Sequence, residues 1–357
     1  MKDRRPFVLI ACNRHVYETY LAPADLERLQ GFADWEWLNL EGGEDFQPNE
    51  DPEAIARLIE KVADADAIVV CHGAPRIDAR VMERAPRLKF IGELEGDRFS
   101  YRIDAETAWA RGIRTIDTTN GSSYPVAEWA LALTIIALRN AGEQFRHLIE
   151  HRVYRRPTTD FGYIHGELFG KKVGLIGCGH IGRRLITFLK PFQCDIRVYD
   201  PYIPRELPDV LGFLWTNLDY VMSDSDAVIC LAPLTPRTRG MIGRRELDLL
   251  KPGAVFVNVS RGAVVDSAAL IARLQRGDIV AGLDVFDPEP IPADSPIRDL
   301  PNVFLSPHIA GVTAASRHGF FSLMVDELDR FFHGHETLYD LTPRTLANRR
   351  GEPLPES

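Results

Sequence analysis

Cysteine is scarce in this chain, and the five present follow no binding pattern. Cys12, Cys71, Cys178, Cys194 and Cys230 are scattered, and none forms a C-x-x-C pair. An odd, dispersed set argues against a disulfide framework or a zinc site and points to reduced thiols in a cytoplasmic protein. We expect no bound metal. A surplus of basic residues is also missing. The formal net charge is −9, with both signs interspersed, so nucleic acid and anionic membranes would find no basic stripe. A small anionic substrate stays open, since it needs only one or two local cations. The apolar run that follows MKDRRP is too short for a signal segment, and we expect no stretch able to cross a bilayer. There is no internal repeat of solenoid length.

What is present is a rhythm of short apolar runs and helical patterns. The length, 357 residues, exceeds one typical core, so two domains are expected. Strands are expected at Phe7–Cys12, Trp35–Leu40, Ala67–Cys71, Leu88–Ile91 and Arg114–Asp117. Helices are expected near Pro23–Gly31, Pro52–Val62 and Asp78–Arg84. Alternation of this kind indicates α/β architecture with parallel sheets. Trp35 and Trp37 read as packing residues. One long helix is expected from Pro125 to about Ile149, with an apolar face wide enough for burial on more than one side. It could connect two domains and contribute to a dimer contact. Arg152–His165 reads as a loop in which Arg155 and Arg156 are solvated. Six more strands are expected after Lys171: Val173–Ile176, Ile196–Tyr199, Asp226–Leu231, Ala254–Val259, Ile279–Leu283 and Val303–Leu305. A helix Asp266–Arg276 lies among them, a helix Val312–Phe332 follows, and the tail from Thr342 is expected to be poorly ordered at its end.

The stretch KKVGLIGCGHIGRRLITFLKPFQCDIRVYD, Lys171–Asp200, organises the second half. A strand runs into glycines spaced G-x-G-x-x-G, namely Gly177, Gly179 and Gly182. Gly177 permits the turn, Gly179 lets backbone approach a pyrophosphate, and Gly182 lets the helix pack close to the strand. The helix N-terminus offers N–H groups to phosphates. Asp200, at the end of the next strand, suits a ribose diol and would repel a 2′-phosphate, which favours NAD over NADP.

Three later stretches carry ionisable groups at strand ends: NVSRGAVVD (258–266), GLDVFDPEP (282–290) and SPHIAG (306–311). Ligands bind beyond the carboxyl ends of strands in doubly wound sheets, so Arg261, Glu289 and His308 are expected to converge. Arg261 can grip a carboxylate. His308 can exchange a proton near neutrality, and Glu289 can orient it and favour its charged form. The three suit hydride transfer between nicotinamide and a 2-hydroxy or 2-oxo acid. Taken singly, Arg261 could pair with Asp266, Glu289 could be a solvated loop acid, and His308 could be a buried structural imidazole.

In that order, VGLIGCGHIG, VYDP, CLAPLTPRTRGMI, NVSRGAVVD, GLDVFDPEP and PHIAG resemble the D-isomer-specific 2-hydroxyacid dehydrogenases, the family of the phosphoglycerate, glycerate and D-lactate dehydrogenases. The resemblance covers roughly Leu88–Phe332. It implies that Arg261, Glu289 and His308 are catalytic, and that His180, Ile181 and Asp200 lie at the phosphates and ribose. It sets Asp284 near the carboxamide, and Ala232, Pro233, Thr238, Val259, Ser260 and Gly311 along the cofactor. It also implies a Rossmann domain (residues 119–311) inserted into a flavodoxin-like substrate domain (1–118 with 312–357), a homodimer, and a substrate in the cleft between domains that closes to exclude water.

One region departs from the family. Where relatives show G-x-G-x-D-N-I-D, this chain has GELEGDRFSYRID, Gly92–Asp104, a few residues longer and bearing Glu93, Glu95 and Asp97. Such loops usually present backbone N–H groups to the substrate carboxylate, which makes Glu95 and Gly96 candidate substrate residues. Three acids there disfavour a second anionic group, unless Arg98 or Arg102 answers them, so polyhydroxylated acids become more plausible than 3-phosphoglycerate. If the acids point to solvent, the argument lapses. His72, Arg76, Ser122, Ser123 and Tyr124 are possible cleft residues for which a structural role is favoured. The main reading is an NAD-dependent oxidoreductase acting at C2 of a small D-2-hydroxy acid, with His308 as acid/base. The alternative is an NAD(H)-sensing interaction protein resembling the C-terminal binding corepressors, to which the low basicity and lack of a partner segment are opposed. Oxidation of formate or phosphite is a third option, which Glu289 disfavours because the formate enzymes resemble one another in carrying an amide there.

Overall fold

The short apolar runs become parallel strands with both faces covered by helices. The structure, a computed structural model, describes residues 4–43, 47–152 and 166–352. The expected positions Arg155 and Arg156, and nearly all of their loop, lie outside the described residues. The chain divides into two compact units, residues 1–122 with 313–357, and residues 123–312.

In the first unit β1 (Phe7–Cys12), β2 (Asp34–Asn39), β3 (Ala67–Val70), β4 (Phe90–Glu93) and β5 (Arg114–Asp117) form one sheet in the order β2-β1-β3-β4-β5. Every pairing is parallel. This is the flavodoxin-like order. Along β1, side chains alternate between two cores: Val8, Ile10 and Cys12 enter one, Leu9 and Ala11 the other. Such two-sided burial is why the run reads as continuously apolar. The helix Ala314–Phe332 belongs to this unit and puts Phe320, Phe321, Met324 and Leu328 into the first of those cores. Trp37 stacks on Tyr17 at 3.9 Å between ring centroids, the packing role expected of it.

In the second unit β6 (Lys172–Ile176), β7 (Asp195–Tyr199), β8 (Leu214–Trp215), β9 (Ala227–Cys230), β10 (Val255–Asn258), β11 (Val280–Leu283) and β12 (Val303–Leu305) are ordered β12-β11-β10-β9-β6-β7-β8. All are parallel. Counting from β6, this is the Rossmann order 3-2-1-4-5-6 with one strand added, and the direction of winding reverses between β6 and β9. Six of the seven strands were expected. The two-residue edge strand β8 was not, because its side chains are exposed and leave no apolar run to detect.

Other departures have local causes. The expected helix Pro125–Ile149 is two helices, Ser123–Leu138 and Ala141–Ile149. Asn140 breaks it with a left-handed φ of 44°, a conformation Asn tolerates better than most, and its amide donates to Glu143 at 2.9 Å. Contrary to expectation, the run Thr119–Leu138 is long and apolar enough to cross a membrane. Ala127, Ala130, Leu133 and Ala137 of that run are instead packed into the second unit's core. The tail forms a helix, Pro343–Arg350, capped by Thr342, whose side chain accepts from Thr345 N–H. The short helices Arg14–Tyr20 and Ala105–Ala110 were not anticipated; Asn13 and Asp104 cap them.

Candidate active site

The glycine turn is built as its spacing requires. Gly177 holds φ +103° and leaves β6, and a Cβ on Gly182 would lie 2.7 Å from Gly177 O. At Gly179 a Cβ would meet nothing within 4 Å, so the backbone there faces open space that a pyrophosphate could fill. The helix His180–Leu189 starts at this point with no side-chain cap on its N-terminus, and a helix start of this kind suits an anion. Asp200 accepts from Cys178 N–H at 2.8 Å and from Tyr202 N–H at 2.9 Å. The acid is thereby drawn to the glycine turn.

At the ends of the neighbouring strands, His308 and Glu289 are in direct contact, Nδ1 to Oε1 at 2.5 Å. Both are partly exposed, at 43% and 36% of the side chain, so each is neither a buried structural imidazole nor a freely solvated acid. Asp284, fully buried, fixes the His308 loop: its carboxylate accepts from Ser306 Oγ (2.5 Å), Ile309 N–H (3.1 Å) and Ala310 N–H (2.9 Å). Trp129 Nε1 donates to the same Ser306 hydroxyl at 3.0 Å. His308 itself sits at φ 53°, a left-handed conformation that costs energy and is held by this framework. Arg261 follows β10, and its Nη1 donates to Ser260 O at 2.8 Å. The next residue, Gly262, has no room for a side chain, because a Cβ would lie 1.9 Å from Phe286 C and O. That contact seats the Arg261 turn against the loop that carries Glu289, whose Oε2 accepts from Phe286 N–H at 3.4 Å. Asp266 caps the helix Ser267–Leu274, accepting from Ala269 N–H.

The remaining candidates separate into two groups. Ala232, Val259 and Ser260 are buried at the ends of β9 and β10. Thr238 donates to Pro233 O at 2.6 Å and closes its turn. Gly311 rests on Val126. Ser123 accepts from Arg184 at 2.7 Å, and the same guanidinium stacks 3.8 Å over the Tyr124 ring, the structural roles expected of them. Ser122 Oγ donates to Thr119 O at 3.2 Å, and Arg76 is exposed.

The acidic loop of the first unit differs from expectation. Its backbone N–H groups are already used: Gly96 and Asp97 donate to Thr119 Oγ1 at 3.1 and 2.9 Å, and Arg98 donates to Asp117 at 2.9 Å. Gly96 is therefore a packing position, where a Cβ would lie 2.4 Å from Glu93 Oε2. Glu93 does not point to solvent. It is fully buried and paired with the fully buried Arg102, Nη1 to Oε1 at 3.1 Å. Asp97, Arg98 and Ser100 all adopt positive φ. The sequence carried no sign of Asp117 and Thr119 as its supports, since both lie on the strand and turn that follow.

Comparison with known proteins decides the family. Residues 131–310 match the model of the D-isomer specific 2-hydroxyacid dehydrogenase, NAD binding domain. A D-3-phosphoglycerate dehydrogenase from Methanocaldococcus jannaschii is 35% identical over 78% of this chain and 52% of its own length. A glyoxylate reductase from Pyrococcus furiosus is 36% identical over 82% of this chain and 85% of its own. The chain belongs to the D-isomer specific 2-hydroxyacid dehydrogenases. It spans about half the length of the phosphoglycerate dehydrogenase it matches. A phosphoglycerate oxidoreductase from Rhizobium etli, 24% identical, shares the fold with a TM-score of 0.79 over 94% of this chain and 98% of its own. As a member of this oxidoreductase family the second unit is an NAD-binding Rossmann domain, and its residues fit that cofactor: an open face at Gly179, an uncapped helix start and an acid at the end of β7.

Proposed function

We propose that this dehydrogenase interconverts a small D-2-hydroxy acid and its 2-oxo acid. The observation that carries the reading is the 2.5 Å contact between His308 and Glu289, on a loop against which the Arg261 turn is seated. The glycine turn and Asp200 would hold NAD(H), whose nicotinamide would supply the hydride chemistry at C2. His308 gives a proton to the carbonyl oxygen on reduction and takes it back from the hydroxyl on oxidation. Glu289 orients the ring through that contact, and Arg261 binds the substrate carboxylate. Residues 123–312 serve the cofactor, and the other unit serves the substrate. We further propose a homodimer, and a reducing compartment such as the cytoplasm: all five cysteines are free, and burial pushes the thiols of Cys12 and Cys178 up to about 12.

A panel of small 2-oxo acids, assayed with NADH and with NADPH, tests the activity. At least one should be reduced rapidly with NADH. Binding of NADH with negligible turnover of every acid would favour the sensor instead.

Two substitutions test individual roles. Asp200→Ala should weaken NADH binding about tenfold or more, the loss of a charged acceptor for the ribose diol, while changing NADPH binding much less; fluorescence titration measures both. Glu289→Gln should lower kcat for reduction about tenfold, because a neutral amide holds the His308 ring less firmly than a carboxylate does. An unchanged kcat would remove Glu289 from this role.

A further inference from the structure

The segment that carries His308 lacks a backbone donor where it needs one. Pro307, between Ser306 and His308, has no N–H. Ser306 supplies a donor from its side chain instead. Its hydroxyl donates to Asp284 Oδ1 at 2.5 Å, and the same oxygen accepts from Ile309 N–H at 3.1 Å. One oxygen of a fully buried carboxylate thus receives donors from both sides of His308. The N–H of His308 itself donates to Asp284 O at 2.9 Å. Between these anchors His308 keeps its φ of 53°, a conformation that persists only where the surroundings over-determine it.

A serine hydroxyl has one hydrogen and can rotate. Left to rotate, it would deprive Asp284 of a donor. Trp129 removes that freedom. An indole N–H can only donate, and Trp129 Nε1 donates to Ser306 Oγ at 3.0 Å across 177 positions of sequence. The bond occupies a lone pair of Oγ and leaves its single hydrogen for Asp284. Trp129 is itself fixed, because it rides on the helix Ser123–Leu138, whose Ala127, Ala130, Leu133 and Ala137 are buried in the core. That helix lies so close to β11 that a Cβ on Gly282 would come within 3.2 Å of Leu133 O. Arg184, from the helix after the glycine turn, donates to Ser123 Oγ at its start. Every residue in this chain of contacts belongs to the unit 123–312.

We propose that Trp129 and Ser306 are positioning residues for the acid/base. The indole orders the hydroxyl, the hydroxyl orders Asp284, and Asp284 holds the left-handed turn that seats the His308 ring on Glu289. The proposal rests on the reading of His308 as acid/base and extends it to the residues that fix the ring.

The test uses two substitutions. Trp129→Phe keeps an aromatic ring on the helix and removes the N–H, whereas Ser306→Ala removes the hydroxyl. kcat for 2-oxo acid reduction should fall about threefold in the first and about tenfold or more in the second, because a small misplacement of a reacting group is costly. KM for the acid and Kd for NADH should stay within about twofold of the parent, since the lost effect falls on the proton transfer. The double variant should be no slower than Ser306→Ala alone, because without Oγ the indole has nothing to order. Crystal structures of the two single variants should show His308 Nδ1 and Glu289 Oε1 parted beyond about 3.5 Å. Trp129→Phe supplies every single-variant readout if the alanine variant does not fold.

A Trp129 that only packs would slow the parent and the Ser306→Ala background equally. That result, an unchanged kcat in both variants, an equal loss of NADH binding, or a ring still seated on Glu289 in both would overturn the proposal. Should the parent turn over no 2-oxo acid while the variants release the ring from Glu289, the acid/base reading fails and the positioning role stands. Should the parent reduce an acid while kcat and the contact ignore both substitutions, this assignment alone fails.

Discussion

Replacing His308 with alanine should lower kcat for 2-oxo acid reduction by about 10²- to 10⁴-fold, the range for losing a positioned general acid, with NADH affinity unchanged. The reason lies in the separation of tasks within the second unit. The glycine turn and Asp200, which suit the phosphates and ribose, lie at the ends of β6 and β7, whereas His308 follows β12 and is held by Asp284, Ser306 and Glu289. Removing the imidazole should leave that framework standing, because the Asp284 bonds run to the Ser306 hydroxyl and to backbone N–H groups rather than to the ring. Stopped-flow fluorescence of NADH binding and steady-state kinetics separate the two effects. Retention of most activity by His308→Ala would show that the proton comes from another group.

The second large effect is expected on stability. Arg102 is the bulkiest fully buried side chain among the described residues, and its guanidinium faces Glu93 in a region that also contains the buried Asp117. Burial, then the charge of Asp117, pushes Glu93 up to about 7, against the pull of Arg102. Burial likewise raises Asp117. Arg102→Met should fill much of the volume but leave the acids without their buried cation, at a cost of about 3–5 kcal/mol.

The sign of the pH dependence follows from linkage. A carboxyl raised in the fold keeps a proton that the unfolded chain has released, so stability falls as pH rises from the ordinary carboxylate range to about 7. Loss of Arg102 raises Glu93 further. The variant should therefore be nearest to the parent at pH about 5, where Glu93 can be neutral, and furthest from it at pH about 8. Urea unfolding at the two pH values measures this. A deficit independent of pH would mean that Arg102 contributes packing and not charge.

How much was readable beforehand differs by element. The strands β1, β3, β6, β9 and β10 were legible because parallel strands buried on both faces must be apolar at every position. The glycine turn was legible because Gly177, Gly179 and Gly182 answer backbone demands that no other residue meets, and those demands are local. The break at Asn140 was missed because an apolar face continues past it and one left-handed residue leaves little trace in periodicity. β8 was missed because an exposed edge strand of two residues carries no pattern. The Gly92–Asp104 loop was misjudged for a different reason. Charge counted along the sequence treated its acids as equivalent, whereas folding buries Glu93 against Arg102 and sets Glu95 between Tyr20 and His72, 75 and 23 positions away in the chain.

The order and spacing of residues alone determined a pair of parallel α/β sheets and a dinucleotide turn, and singled out Arg261, Glu289 and His308 as candidates, because each of these depends on neighbours within a few residues or on alternation that burial imposes. Tertiary structure decided which of those groups touch, which acids keep their charge and which backbone donors are already spent. Those properties depend on the distance and dielectric between residues far apart in the chain, and only the folded packing sets either one.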